Sequence, residues 1–365
     1  MRTAIVSDLH LGNAFGEDLL RDAEIRRALL EELDGAERLV LLGDVLELRE
    51  LPLATVLKTA RPFFEELGEA MANCSVVLVP GNHDHRLAEP LLEQLALAGE
   101  PLGLERRAAP SGEAIEQVAA WLGDAELEIA YPGIWLRDDV YATHGHYMDC
   151  HMRLPKLECI AAAASMRALS LPERPEPADY ERVLRPVYGL TFGLAQGGGA
   201  GRAARPSERA WKAISSRNGK GNRARRAALR AAVPASVWGI NRLLRADFDA
   251  DFSTGSLSHS GIAAATELAQ RLDIQAAHTI TGHTHRAGPE EGDAEWALPG
   301  GGRLHNTGSW IFASAFHHPG TPPGPYWPGT VTWLEDSGPP QRKHLLQRPG
   351  DKLRAAVARL ATAIR

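Results

Sequence analysis

Imidazole, carboxylate and amide side chains lie close together at several points of this 365-residue sequence. The densest group is Gly81-Asn82-His83-Asp84-His85, which follows the apolar run Val76 to Val79 and Pro80. Such groups bind divalent metal ions, and imidazole and carboxylate groups also transfer protons. An apolar, β-branched run before Pro-Gly is typical of a buried strand that ends in a loop, where catalytic residues are common. Taken alone, however, Asn, Asp and Gly are also ordinary turn residues.

Other apolar runs end in the same way. Ala4 to Val6 is followed by Asp8 and His10, which alternate with apolar neighbours, so we predict an extended segment that projects both side chains to one side. Arg38 to Leu42 is followed by Asp44, and two later predicted strands end in histidine motifs. In all, five predicted strand ends carry the candidate metal ligands Asp8, His10, Asp44, Asn82, His144, His283 and His285.

The size of this set predicts two metal ions, because one ion cannot use so many ligands. Two-metal sites place their ions about 3.5 to 4 Å apart. We predict that Asp44, delivered from the middle of the sheet, bridges the two ions and that the other ligands divide between them. We expect Mn²⁺, with Zn²⁺, Fe²⁺ and Mg²⁺ as alternatives, since all of these accept oxygen and imidazole ligands to some degree.

The motifs D-x-H, G-D, G-N-H-D, G-H and G-H-x-H occur in the order found in the calcineurin-like metallophosphoesterases. The sequence resembles that family over these core segments. The resemblance implies that one ion is held by Asp8, His10 and His285, that the other is held by Asn82, His144 and His283, and that Asp44 bridges them. It also implies a two-sheet α/β/β/α sandwich with the metals at the strand ends.

The reaction that this resemblance implies is hydrolysis of a phosphate ester or pyrophosphate bond by a metal-bound hydroxide. Two cations lower the pKa of a bound water from about 15.7 towards 7 and neutralise the oxygens of the attacked phosphorus. We predict that His83 acts as general acid at the leaving-group oxygen, with Asp84 holding its other nitrogen. The alternative is that His83 only stabilises charge. Glu47 is expected to orient a ligand.

Strands and helices alternate along the first part of the sequence, which favours an α/β sheet with a site along one edge of its strand ends. Residues from about 148 to 254 lack a strand pattern and are rich in Ala, Arg and Leu, so we predict an inserted helical cap. The expected domains are the metallophosphoesterase core at 1–147 and 255–334, the cap at 148–254, and a C-terminal strand and amphipathic helix at 335–365.

Some features resemble one branch of the family, the UDP-diacylglucosamine pyrophosphohydrolases. They are the opening Ser-Asp-Leu-His-Leu-Gly, the motif Gly-Asp-x-x-Glu and the place of the cap. That branch has Gly-Asn-Arg-Asp where this chain has His83, and His-Gly-Asp where this chain has His146. A nucleotide-diphosphate lipid or another phosphorylated small molecule is therefore a candidate substrate, and a phosphomonoesterase or protein phosphatase is the alternative.

A basic run, Arg202 to Arg230, lies inside the predicted cap after a glycine-rich stretch at 196–201. A basic helical segment of this kind is typical of a solvated face or of a contact with anionic lipid. A phosphodiesterase that binds nucleic acid is a weaker alternative, in which the basic side chains follow the phosphate backbone and Trp211 stacks on a base.

Composition sets the wider limits. The net charge of -6 and the 44% of apolar residues predict a soluble globular protein. Three cysteines without CxxC spacing argue against a disulfide framework or a structural zinc site. Neither a secretion signal nor a membrane span is visible in the sequence. We therefore expect a cytoplasmic protein that is at most peripheral to the inner face of the membrane. The sequence does not indicate its oligomeric state.

Overall fold

The strands and helices are defined here from a computed structural model, which describes residues 1–197, 223–251, 254–290, 293–312 and 324–346. The strands are β1 (Thr3–Val6), β2 (Arg38–Leu41), β3 (Ser75–Leu78), β4 (Glu105–Ala108), β5 (Glu126–Arg137), β6 (Val140–Thr143), β7 (His278–Thr281), β8 (Arg303–Asn306), β9 (Thr330–Leu334) and β10 (Gln341–His344). The α-helices are α1 (Ala23–Glu32), α2 (Leu53–Ala70), α3 (Glu89–Ala98), α4 (Glu113–Leu122), α5 (Leu157–Leu169), α6 (Pro177–Gln196), α7 (Arg223–Leu244) and α8 (Thr254–Arg271).

The strands form one continuous path in the order β10-β9-β1-β2-β3-β5-β6-β7-β8, with β4 also paired to β5. Strands β1, β2 and β3 and the first half of β5 are parallel neighbours. The second half of β5 instead pairs antiparallel with β6. Both halves bury small apolar side chains in one shared cluster, which includes Ile5, Val40, Val77, Ile134, Val140 and Ile280. The predicted α/β class is confirmed, and this shared core is consistent with the expected sandwich.

Helices α1, α2 and α4 cover the other face of the β1–β3 strands. Helix α2 contributes Phe63, Phe64 and Leu67 to a cluster that also contains Leu39 of β2 and Leu78 of β3. Full burial of such side chains stabilises the fold by about 1.5 to 3 kcal/mol each. This packing leaves the carboxyl ends of the parallel strands as the edge at which loops can gather.

The chain divides into two compact units. The first spans Met1–His146, Tyr188–Gly201 and Ile274–Arg365, and the second spans Tyr147–Val187 and Arg202–Asp273, so far as the structure describes them. The domain limits predicted from the sequence at residues 147, 254 and 334 remain a prediction.

A chain of polar contacts links the elements of the second unit. His151 Nε2 lies 2.7 Å from the hydroxyl of Tyr180. His151 Nδ1 lies 3.4 Å from Glu267 Oε1 of α8. The Tyr147 ring stacks on Tyr180, and its hydroxyl donates to Glu181 Oε1 at 2.6 Å. Among the described residues, no helix combines the length and the apolar character that crossing a membrane requires.

Three local sequence patterns predict elements that the structure changes. Pro132-Gly133 predicts a break between strands, which is wrong, because β5 runs through it and only changes its pairing partners there. Trp310 to Ala313 predicts a strand, but its described residues form only a single bridge, between Ile311 and Asp18. Pro62 to Met71 predicts a helix, and helix α2 begins earlier, at Leu53. Some features discussed above lie outside the described residues. They are the glycine-rich stretch beyond residue 197, Trp211, most of the basic run and the predicted C-terminal helix.

Candidate metal centre

The candidate ligands lie in loops that directly follow strands. Asp8, Asp44 and Asn82 follow β1, β2 and β3, which are adjacent and parallel, so their carboxyl ends meet at one edge of the sheet. His144 follows β6, and the motif with His283 and His285 follows β7, which is parallel to β6. The seven predicted ligands are thus delivered to one place by the ends of five strands.

The backbone at this place is strained. Of the nine non-glycine residues with positive φ in the described chain, five are candidate ligands: Asp8 (55°), His10 (46°), Asp44 (51°), His283 (67°) and His285 (58°). Such conformations are uncommon outside glycine and cluster at functional sites. The prediction that Asp8 and His10 share a side through an extended segment is wrong, because β1 ends at Val6 and left-handed turns aim both side chains.

The first group of ligand atoms comprises Asp8, His10 and His285. Asp8 Oδ1 lies 3.1 Å from His285 Nε2 and 4.0 Å from His10 Nε2. The two imidazole Nε2 atoms lie 3.2 Å apart. All of these ligand atoms fall within 4.8 Å of one another, which is the arrangement expected around a single cation.

The second group comprises Asp44, His144 and His283, whose ligand atoms also fall within 4.8 Å of one another. Asp44 Oδ2 lies 3.2 Å from His144 Nε2. The same oxygen lies 3.8 Å from His10 Nε2 of the first group. Asp44 is therefore the residue that faces both groups.

The orientation of the Asn82 side-chain amide indicates whether a cation fits the second group of ligand atoms. In one amide orientation its oxygen lies 3.3 Å from Asp44 Oδ2 and 3.2 Å from His283 Nδ1, so three electron-pair donors converge. That orientation is favourable only with a cation between them, whereas the reversed amide donates its N–H groups to the same two atoms. Together with the first group, this donor set fits two divalent cations.

His83 is held by Glu47 and not by Asp84, which corrects the prediction. Glu47 Oε2 lies 2.7 Å from His83 Nδ1 and 2.9 Å from His10 Nδ1, so a single buried carboxylate orients both rings. Asp84 turns inward and accepts the backbone N–H groups of Gly81 and Val45 at 2.7 Å, and those of Asp44 and Leu46 at 3.3 Å. It cannot reach the His83 ring because its oxygens brace the loops behind the site.

His83 also stands near enough to join the ligands. Its Nε2 lies 4.0 Å from Asp44 Oδ2, and His10, Asp44 and His83 form a third group of converging ligand atoms. Its backbone N–H donates to Asp44 Oδ1 at 2.8 Å. The His83 ring therefore borders the same space as the candidate ligands, with Nε2 as the nitrogen that faces it.

The electrostatics of the site favour positive charge. Burial alone would lower the pKa of His10, but the hydrogen bond to Glu47 and the charge of Asp44 outweigh it and raise the pKa to about 9. At His144, burial would likewise lower the pKa, but the charge of the Asp44 carboxylate outweighs it and raises the pKa to about 10. Burial would raise the pKa of Asp44 itself, yet His144 and His83 hold it well below its usual value. The carboxylates stay ionised and attract positive charge, whether protons or metal ions supply it.

Supporting contacts fix the ligands from behind. His144 Nδ1 lies 2.9 Å from the carbonyl oxygen of Leu42, which leaves Nε2 for the site. The hydroxyl of Ser7 donates to Asp8 Oδ2. Gly43 lies so close to the His144 ring that a Cβ would overlap it, and a Cβ on Gly282 would come within 2.6 Å of Asp8 Oδ2. The glycines that precede ligands in the motifs are therefore needed for close approach.

Arg49 is the neighbour that sequence reasoning missed. Its Nη1 lies 3.3 Å from His83 Nε2. The same Nη1 lies 2.9 Å from the outer end of the Asn82 amide. In the sequence, an arginine five positions after Asp44 is indistinguishable from a solvated surface charge, and only its contacts reveal that it borders the site.

The other histidines near the motifs do not join these groups of ligand atoms. His146 is buried beside Tyr131, whose hydroxyl lies 3.1 Å from its Nε2. His85 is buried against Tyr188. His151 belongs to the network of the second unit described above.

Residues 1–181 match the model of the calcineurin-like phosphoesterase family. In residues 1–181 this chain belongs to the calcineurin-like phosphoesterases. It is thus a metal-dependent phosphoric ester hydrolase, as the sequence predicted. The matched segment includes the motifs from Asp8 to His144 and ends before His283 and His285.

Two solved structures are similar to this phosphoesterase at 13% identity, and each comparison covers 92% of this chain and 75% of the other. One is the cold-active protein-tyrosine phosphatase of a psychrophilic Shewanella species, with a TM-score of 0.29. The other is a mutant cold-active protein tyrosine phosphatase, with a TM-score of 0.32. No curated protein matches the sequence.

Proposed function

We propose that the candidate metal centre is the dinuclear active site of this hydrolase, with Asp44 as the bridging ligand. The observation that carries this proposal is the position of Asp44 Oδ2, which lies 3.2 Å from His144 Nε2 of one group and 3.8 Å from His10 Nε2 of the other. One ion would be held by Asp8, His10 and His285, and the other by Asn82, His144 and His283. We keep Mn²⁺ as the expected metal.

Side chains of the protein supply the other catalytic and positioning roles. When bound, the two ions would supply an activated water and neutralise charge on the phosphoryl group. His83, oriented by Glu47 through Nδ1, presents Nε2 to the leaving-group oxygen and acts as general acid. Glu47 also fixes the His10 ring, so the positions of the acid and of one ligand depend on the same carboxylate. Asp84 acts indirectly, by bracing the loops that carry Asp44 and His83.

For the substrate, we propose a phosphorylated small molecule, with a nucleotide-diphosphate lipid as the first candidate. Its support is the resemblance of the opening motif, of Gly-Asp-x-x-Glu and of the helical segment after His144 to the pyrophosphohydrolase branch. Under this proposal the chain cleaves a P–O–P bond, and the leaving group is itself a phosphate.

A phosphomonoesterase is the second candidate, and Arg49 favours it. A guanidinium binds phosphoryl oxygens in a bidentate manner, and its charge is most useful against the dianion of a monoester. Arg49 Nη1, at 3.3 Å from His83 Nε2, is placed to bind an oxygen of the same phosphoryl group that His83 serves.

A hydrolysis panel tests these proposals. The purified chain, loaded in turn with Mn²⁺, Zn²⁺, Fe²⁺ and Mg²⁺, is assayed with bis-p-nitrophenyl phosphate, p-nitrophenyl phosphate and a UDP-sugar lipid. The first candidate predicts the highest kcat/KM on the UDP-sugar lipid, and the second predicts it on the monoester. Arg49→Lys keeps the charge but loses the paired N–H donors of the guanidinium. If the chain is a phosphomonoesterase, KM for the monoester should therefore rise about tenfold, with little change on the diester. Absence of turnover with every substrate and metal would refute both.

A further inference from the structure

Helix α7 of the second unit carries large apolar side chains on its surface. Trp238 is 66% exposed and Leu243 is 71% exposed. The guanidinium of Arg242 lies 5.9 Å from the centre of the Trp238 ring. Helix α5 packs against α7 within the same unit and ends in Leu169, which is also exposed. Single exposed apolar residues are common, but a tryptophan and a leucine within two turns of one helix suggest a surface that meets a partner.

The segment of the sequence that contains α7 has a positive charge, whereas the complete chain has a negative one. Residues 182–246 contain fourteen Arg or Lys and one acidic residue, Glu208, a formal charge of +13, whereas the complete chain carries -6. The rest of the chain therefore carries -19. Helix α7 itself has five arginines and no acidic residue. A polyanionic partner would be attracted to this segment and repelled by the rest of the molecule.

We propose that the α7 surface, defined by Trp238, Arg242 and Leu243, binds the anionic surface of a lipid bilayer. Tryptophan is suited to the boundary between headgroups and acyl chains, leucine to the acyl region, and arginine to anionic headgroups. Single-stranded nucleic acid would use aromatic stacking but has no apolar layer to receive Leu243. A second copy of the chain would bring two strongly positive segments together.

The test is flotation of the full chain with phosphatidylcholine vesicles prepared with or without phosphatidylglycerol. It needs no turnover, so its result is independent of the proposed hydrolase function. We expect binding only to the anionic vesicles, with a decrease as salt is raised. The double variant Trp238→Ala, Leu243→Ala should weaken binding at least about tenfold, and Arg242→Glu with Arg245→Glu should reduce its salt dependence. These side chains are exposed, so the variants should fold.

Leu97→Ala is the matched control, because Leu97 is a 90% exposed leucine of α3 in the first unit. It should bind vesicles like the wild type. Equal binding to neutral and anionic vesicles, or wild-type binding by the double variant, would overturn the proposal. So would a double variant that changes the sedimentation velocity of the free protein, which would identify a second copy as the occupant. Tight, salt-sensitive binding of a single-stranded oligonucleotide without vesicle binding would replace lipid by nucleic acid.

Discussion

Histidines are buried in both units of this phosphoesterase, but their environments move the imidazole pKa in opposite directions. In the candidate metal centre, the pKa of His10 is raised to about 9 and that of His144 to about 10, because carboxylates outweigh the cost of burial. In the second unit, burial outweighs the charge of Glu267 and lowers the pKa of His151 to about 4. Arg271, which pairs with Glu267 at 2.9 Å, cancels part of that carboxylate's effect.

This difference shows what marks a metal centre among buried histidines. His151 has one carboxylate neighbour, shared with an arginine, and its other nitrogen is satisfied by a tyrosine hydroxyl. His10 faces three carboxylates, Asp8, Asp44 and Glu47, within 4.0 Å. An excess of ionised carboxylate over fixed cation is stable in a buried place only if positive charge is bound there. The four predictions that follow test this distinction.

Loss of the shared carboxylate should have the largest effect. Asp44→Asn should lower the metal content and reduce hydrolysis about 10³-fold or more, because removing a bridging charge forfeits several kcal/mol of transition-state stabilisation. Elemental analysis and kcat/KM measure the two effects. Asp34→Asn, at an exposed position after α1, is the control and should change neither. Wild-type metal content in Asp44→Asn would contradict the bridging role.

Removal of the candidate acid should separate chemistry from metal binding. His83→Ala should retain both ions and lose roughly 10²- to 10⁴-fold activity on alkyl esters, whose leaving groups need a proton. The loss should be smaller on a nitrophenyl ester. An equal loss on both substrates would leave His83 with only an electrostatic role, and a loss of metal would make it a ligand, as its distance to Asp44 allows.

Neutralising Glu47 should affect both rings that it orients. Glu47→Gln should lower metal affinity or activity by about 10- to 100-fold, the range seen when the partner of a ligand histidine is removed. It should also weaken the leaving-group dependence that His83 confers. Glu50→Gln is the matched control, since Glu50 is a buried carboxylate of the same segment that braces Asn13 and Ala14 instead. If both variants lost metal affinity or activity equally, the effect would come from disturbing the loop that carries them and not from the contacts of Glu47 with the two rings.

The smallest effect concerns the stability of the second unit at acid pH. Because the folded-state pKa of His151 lies below that of the unfolded chain, the unfolded state binds more protons between about pH 6.5 and 4, and stability falls as pH falls through this window. His151→Gln should reduce the loss of unfolding free energy between pH 7 and 5 by about 1 to 2 kcal/mol. Urea unfolding at both pH values measures it. His259→Gln, at an exposed site of α8, should leave the loss unchanged.

The sequence by itself determined which residues gather at the site and what chemistry they suit. Apolar runs predicted β1, β2, β3 and β7, and the polar motifs at their ends predicted one shared edge, because strand period and chain direction are local properties. The family also followed from the order of these motifs. Domain limits at 147 and 254, by contrast, rested on composition alone and remain predictions.

Only the tertiary structure decided how those residues are aimed and by what. Left-handed turns, and not an extended segment, direct Asp8 and His10, since neighbouring loops over-determine the strained backbone. Glu47 replaces Asp84 as the partner of His83, and Arg49 borders the site, although both lie more than thirty positions from His83 in the sequence. Direction of a side chain and contacts across such distances depend on the packing of whole elements, which no local pattern of residues encodes.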